Sequence, residues 1–119
     1  MELLWYRLEI KGYQVMKIEE FKEGIEDLGY LINDSYVYWH IKDKENHIFA
    51  IIHKYILLKF STDFAYWQCI SDDDKIKVFD LITEFSKTQF YDRYNFTDYQ
   101  VKIIKEKYSK EPYILEEGM

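Results

Sequence analysis

The sequence predicts an α+β fold: a helix, a three- to four-stranded antiparallel β-meander, a second helix, and a C-terminal tail that is helical or extended. Three observations carry that expectation. Apolar residues first recur at spacings of three and four. They then switch to short β-rich runs whose connections are too brief for a parallel crossover, and return to helical spacing behind an acidic cap. A chain of 119 residues and 14.7 kDa can bury about two thirds of the surface its unfolded form exposes, enough for one core. No internal repeat or Gly/Pro-rich linker divides it, so residues 1–119 read as one domain, with a core over 16–93 and a tail over 94–119.

The first helix is expected over residues 18–28. Ile18, Phe21, Ile25 and Leu28 form one apolar stripe, and Glu19, Glu20, Lys22, Glu23, Glu26 and Asp27 occupy the other face. Gly29 supplies the stop, because a residue without Cβ enters the left-handed region at little cost. Four strand-like runs follow at residues 30–32, 36–41, 47–52 and 55–60, separated by Asn33-Asp34-Ser35, by residues 42–46 and by a tight connection at His53-Lys54. The register across that last connection stays open: Tyr55 and Leu57, or Ile56, Leu58 and Phe60, face the core according to turn length. Ser71 before Asp72-Asp73-Asp74 is an N-cap with carboxylates where the helix dipole favours them. Ile76, Phe79, Leu81, Ile82 and Phe85 then give the second helix a broad apolar face. In the tail, Thr97 and Gln100 suit a helix cap, with Val101, Ile104 and Tyr108 on one face. Tyr99, Val101 and Ile103 also alternate as a strand does. Pro112 ends that segment, and Glu116, Glu117 and Gly118 are expected to fray.

Residues 1–15 admit two readings. Lys11-Gly12 must be encoded by a purine run about three codons before Met16, where a bacterial ribosome-binding site would lie, making Met16 the start and the preceding residues an upstream extension. Alternatively Tyr6, Leu8 and Ile10 alternate with Arg7, Glu9 and Lys11 as a half-buried strand. The opening segment carries Glu2, Arg7 and Glu9, without a basic n-region or a small-residue cleavage site, and so does not read as a signal peptide. No apolar run approaches the roughly 20 residues of a membrane span. One Cys excludes a disulfide framework, and the expected location is cytoplasmic.

Sixteen basic and 22 acidic residues give a formal charge of −6, which repels phosphate backbones and points away from direct nucleic-acid binding. A basic protein partner fits better. If Ile41 faces Ile48, Trp39 faces Ala50 and Val37 faces Ile52, one sheet face is core. The other then presents Tyr36, Tyr38 and His40 beside Phe49, Ile51 and His53. That face is too aromatic for bare solvent, and the N-terminal segment or the aromatic stretch over residues 90–96 is expected to cover it; a partner is the other candidate.

Candidate chemistry is sparse. His40 and His47 flank a loop holding Asp43 and Glu45 but are not opposite one another, and strand-end histidines in solvent are the expected reading. Cys69, beside Trp67 and Ile70, reads as a small buried thiol. Asp72-Asp73-Asp74 lacks the alternating spacing of a calcium loop, and four Gly residues build neither a phosphate loop nor a nucleophile elbow. No enzyme activity, metal or cofactor is therefore expected. The helix, antiparallel sheet, helix order is similar to that of the double-stranded RNA-binding domain, but an acidic second helix does not suit phosphates.

The start Met16-Lys17-Ile18-Glu19-Glu20-Phe21, the stop Leu28-Gly29-Tyr30 and the run from Val78-Phe79-Asp80-Leu81-Ile82 through Thr88-Gln89-Phe90 to Arg93 resemble small uncharacterised accessory proteins of Gram-positive phages and prophages, over about residues 16–93. In those proteins a Thr-Pro turn and acidic residues follow the helix, where this chain has Thr88-Gln89-Phe90-Tyr91. The resemblance implies a non-enzymatic protein that binds and blocks a host factor such as a defence nuclease, in the manner of an anti-CRISPR. Its expected partner contacts are Glu19, Glu20, Glu23, Glu26 and Asp27 on the first helix and Asp72, Asp73 and Asp74 on the second, imitating phosphates toward a basic groove. Tyr36 and Tyr38 add an aromatic contact. The alternative is a phage structural or regulatory module that forms a homo-oligomer through its aromatic surface, including Tyr91, Tyr94 and Phe96.

Overall fold

A computed structural model describes residues 15–109. The strand and upstream-extension readings of residues 1–14, the stop at Pro112 and the fraying at Glu116, Glu117 and Gly118 lie outside the described residues. The architecture is α+β, with two long helices packed on one face of a four-stranded antiparallel sheet.

Helix α1 (Ile18–Asp27) buries Phe21 and Ile25 and turns its carboxylates outward. The Lys17 amide donates to Glu20 Oε1 at 3.0 Å, satisfying one of the orphan donors of the first turn. At the other end Gly29 takes φ +93°, and its amide bonds to the Glu26 carbonyl at 2.9 Å while the Tyr30 amide reaches Ile25 at 3.2 Å.

The strands are β1 (Leu31–Ser35), β2 (Tyr38–Lys42), β3 (Ile48–His53) and β4 (Phe60–Ser61), paired in sequence order. Asn33, Asp34 and Ser35, expected as a turn, extend β1 and pair with His40, Trp39 and Tyr38. An edge strand tolerates such polar residues, and the Lys54 ammonium is held against the Asp34 carboxylate. The turn falls instead at Tyr36-Val37, which removes Tyr36 from the sheet. Between β2 and β3, Ile41 faces Ala50 and Trp39 faces Ile52, two residues from the expected register; a shift of two keeps every β2 side chain on its expected face. An irregularity at Ile41/Lys42 sets Ile48 opposite Lys42, so that Phe49 and Ala50 are both buried. Phe49 thus joins the helix-covered core, its ring 5.1 Å from Tyr30 and 6.1 Å from Trp67, instead of the opposite face.

The fourth strand differs most from expectation. Only Phe60 and Ser61 pair with β3, and residues 54–59 form a loop. His53 Nδ1 accepts the amides of Tyr55 and Ile56, both at 3.0 Å, and the Leu58 amide donates to Ser86 at 3.0 Å, so donors that a strand would use are taken locally. Leu58 sits at φ +57°.

Helix α2 (Asp72–Lys87) begins at Ser71, whose hydroxyl accepts the Asp74 amide at 3.1 Å. Val78, Ile82 and Phe85 enter the core, but Ile76 and Phe79, expected there, point to solvent. Helix α1 runs antiparallel to α2: the Phe21 and Phe85 rings stack at 4.5 Å, and the Met16 amide donates to Thr88 Oγ1 at 3.0 Å. Gly24 allows the approach, because a Cβ there would lie 2.8 Å from Leu81 Cδ2.

The tail resolves as helix. After the short α3 (Phe90–Arg93), α4 (Asp98–Ser109) starts with the Thr97 amide donating to Gln100 Oε1 at 2.9 Å and the Gln100 amide to Thr97 Oγ1 at 3.2 Å. Tyr55 is the hub of an aromatic cluster with Phe90, Tyr94, Phe96 and Tyr108. Trp39 donates its indole N–H to the Tyr94 hydroxyl at 2.8 Å, with the Lys22 and Lys54 ammoniums 4.9 and 4.7 Å from its ring.

Candidate partner-binding surface

The antiparallel packing of α1 and α2 brings the C-terminal end of one beside the N-terminal end of the other. Between them opens a cleft of about 390 Å³, lined by Gly29, Tyr30, Asp43, Lys44, Glu45 and Asp74 among others. The two groups of carboxylates expected from the sequence are therefore neighbours. Asp74 from the start of α2 and Asp43 and Glu45 of the β2–β3 loop line the cleft, whereas Glu26 and Asp27 end α1 one residue before its lining begins at Leu28, and Asp72 and Asp73 precede Asp74 on α2 outside the lining.

The carboxylates differ in what they already hold. Glu20 caps its own helix, Asp72 pairs with Lys75 at 3.5 Å and Asp73 with Lys77 at 3.1 Å. Asp74 accepts the Tyr30 hydroxyl at 2.5 Å, and burial together with that carboxylate pushes the Tyr30 pKa up to about 12. Asp43 Oδ1 accepts the amides of Glu45 and His47 at 2.9 Å, and its Oδ2 lies 3.0 Å from His47 Nδ1. These bonds, that of the His47 amide foremost, hold its pKa below the usual carboxylate value. Glu19, Glu23, Glu26 and Asp27 remain exposed, with no side-chain hydrogen bond or ion pair among the described residues.

Glu19, Glu23 and Glu26 recur at i, i+4 and i+7, a single stripe facing water, where like charges repel. Glu26 and Asp27 occupy the last turn of α1, which has no basic residue, although the helix dipole favours cations there. The nearest compensation comes from the loop: Lys44 lies over Gly29. Such an arrangement leaves negative potential at the mouth of the cleft for a cationic group to neutralise.

The aromatic surface is divided. Tyr36, at the tip of the β1–β2 turn, has φ +55° and is 94% exposed. Tyr38 is half-buried and meets the edge of His53 at 5.1 Å. His53 is buried beneath Tyr55 and Tyr108, and Tyr55 in turn packs on Phe90, Tyr94 and Phe96, so the loop, α4 and the aromatic stretch over residues 90–96 together cover that end of the sheet face. His40 and Ile51 stay half-exposed beside each other.

Two further expectations change. Cys69 ends the 3₁₀ turn Ala65–Cys69 exposed on the cleft wall, where the turn directs it away from the core. His47 is not simply solvated: its ring stacks on Tyr66 at 3.9 Å, nearly parallel, while Asp43 orients it. Among the described residues, no three His, Cys, Asp or Glu side chains converge as metal ligands, and no helix is long and apolar enough to cross a membrane. Asp43 and Glu45 were weighed in the sequence only as metal ligands. Their loop position gives no periodic signal that would join them to two distant helices. A scan against protein-family models, a search of curated proteins and a search of solved structures each find no match to this chain.

Proposed function

We propose that this chain is a non-enzymatic binding module that captures a basic surface of a partner protein at the acidic junction of α1 and α2. The observation carrying this reading is the exposed Glu26–Asp27 end of α1, placed against its own helix dipole and followed by Leu28 and Gly29, which line a cleft with Asp43, Lys44, Glu45 and Asp74. A basic side chain entering there gains attraction from both helices at little cost in reorganisation, because Tyr30 and the Asp43 turn already fix two of the carboxylates. The kind of partner that fits is a protein with a phosphate-binding groove. With the resemblance noted in the sequence, this makes a host nuclease, blocked by an accessory protein of a mobile element, the leading candidate.

The test presents a panel of basic nucleic-acid-binding proteins, nucleases included, to the wild-type chain and to a Glu23→Lys/Glu26→Lys/Asp27→Lys variant. Binding is expected to weaken as the Debye length falls from about 10 Å at 0.1 M salt to about 3 Å at 1 M, and to fall at least about tenfold in the variant. Equal binding by a variant of wild-type circular dichroism removes the proposal.

A further inference from the structure

The outer flank of α2 carries apolar surface that the fold does not use. Ile76 is 64% exposed and Phe79 43%, and a hollow of about 400 Å³ beside them is lined by Thr62, Trp67, Lys75 and Asp80. Beneath lies the β4 edge, whose Phe60 meets Phe79 edge-on at 5.9 Å. Large apolar residues gathered at an unpaired sheet edge are a familiar mark of an interface.

The charge pattern of this flank selects its occupant. Asp72, Ile76, Phe79, Thr83 and Lys87 follow one another at i, i+4, i+7, i+11 and i+15, one stripe of a helix about 24 Å long. Its ends are acidic and basic and its middle is apolar. Laid antiparallel on itself about a point between Phe79 and Asp80, the stripe sets Asp72 opposite Lys87, Ile76 opposite Thr83, and Phe79 beside the two-fold axis opposite the Asp80 backbone position. A parallel arrangement would set like charges together. Asp72 and Lys87 are themselves exposed, and the pairs they make within their own helix with the half-buried Lys75 and Glu84 are separated by 3.5 and 3.7 Å, long enough to exchange.

We infer that α2 is the contact between two copies of this chain, paired antiparallel across a two-fold axis and burying Ile76 and Phe79. The contact is isologous and closes at the dimer. It lies on the flank of α2 away from α1 and leaves the acidic stripe of α1 open, sharing only Asp72 with the partner surface proposed above.

Sedimentation velocity of the full chain over a concentration series tests the proposal. A dimer is expected, with a dissociation constant raised at least about tenfold by Ile76→Glu. Asp72→Lys and Lys87→Asp each weaken it, and the double variant restores it, because the swapped charges again face opposite signs. All these positions are exposed, and circular dichroism reports separately on folding. A chain monomeric at its highest soluble concentration overturns the inference. So does a dimer indifferent to Ile76→Glu, which would place the contact elsewhere, or a double variant no better than either single one, which would remove the antiparallel arrangement.

Discussion

The Arg93 guanidinium donates from Nη1 to the carbonyl of His53 at 2.9 Å, joining α3 to the end of β3 forty residues earlier in the chain. The same nitrogen reaches Lys54 at 2.8 Å, Nε reaches Thr88 at 2.6 Å and Nη2 reaches Ser86 at 3.0 Å. The group is fully buried 4.6 Å from the Phe85 ring. Four carbonyls at the ends of two elements, β3 and α2, are thereby bound by one side chain.

Removing it should be severe. Arg93→Ala takes a donor from each of those carbonyls, of which Ser86 keeps the Leu58 amide, and is expected to cost about 3–4 kcal/mol in urea unfolding. Arg93→Lys should recover only part of that, since a point ammonium cannot reproduce a planar fork. A loss under 1 kcal/mol for the alanine variant would show that the loop finds other partners.

Acid should destabilise the fold through His53. Its Nδ1 accepts two amides, and burial first, with Lys59 and Arg93 adding to it, lowers its pKa from 6.5 to about 4. Between those values the unfolded chain binds a proton that the folded one refuses. Stability is therefore complete above about pH 6.5 and falls as pH drops toward 4, by up to about 3 kcal/mol. His40, also lowered by burial and then by Lys42, acts in the same direction, and Asp43 adds to the loss only below its unfolded value of 3.8. Denaturant titrations from pH 7 to 4 should show this slope flattened in His53→Gln. An unchanged slope would assign the effect to other groups.

Tyr36 occupies a conformation that suits glycine or asparagine and touches solvent with nearly its whole surface. Tyr36→Asn is expected to stabilise the chain by about 0.5–1 kcal/mol, because it relieves the left-handed strain and loses no packing. The informative comparison is with partner binding. A variant that gains stability and loses affinity would make Tyr36 a contact, and one that gains stability with affinity intact would make it only a tolerated turn residue.

Helix α1 was legible because its apolar stripe and its stop use only local rules: Phe21 and Ile25 are where periodicity puts them, and Gly29 has the positive φ expected of it. In the tail, where the sequence left helix and strand open, Thr97 and Gln100 decide for helix through their own bonds. Residues 55–59 form a loop although Tyr, Ile and Leu suit strands, because donors of that segment are engaged by an imidazole and by a carbonyl from α2, neither visible locally. Ile76 and Phe79 failed differently. Their spacing is helical, but periodicity cannot tell a core-facing stripe from one that overhangs a sheet edge. At the candidate site, the helix carboxylates could be read from the sequence, while their convergence with Asp43 and Glu45 depends on the antiparallel packing of elements more than forty residues apart.

The contact between α1 and α2 has a consequence for when the acidic stripe exists. Ten residues are too few for a helix to persist alone in water, and α1 gains its support from Phe85, Leu81 and Thr88, which follow it by more than fifty residues. During synthesis its carboxylates therefore belong to a coil until α2 has emerged. A peptide copied from residues 17–29 would carry the same five acids without their spacing, and an antagonist built on this surface would have to carry the second helix as well.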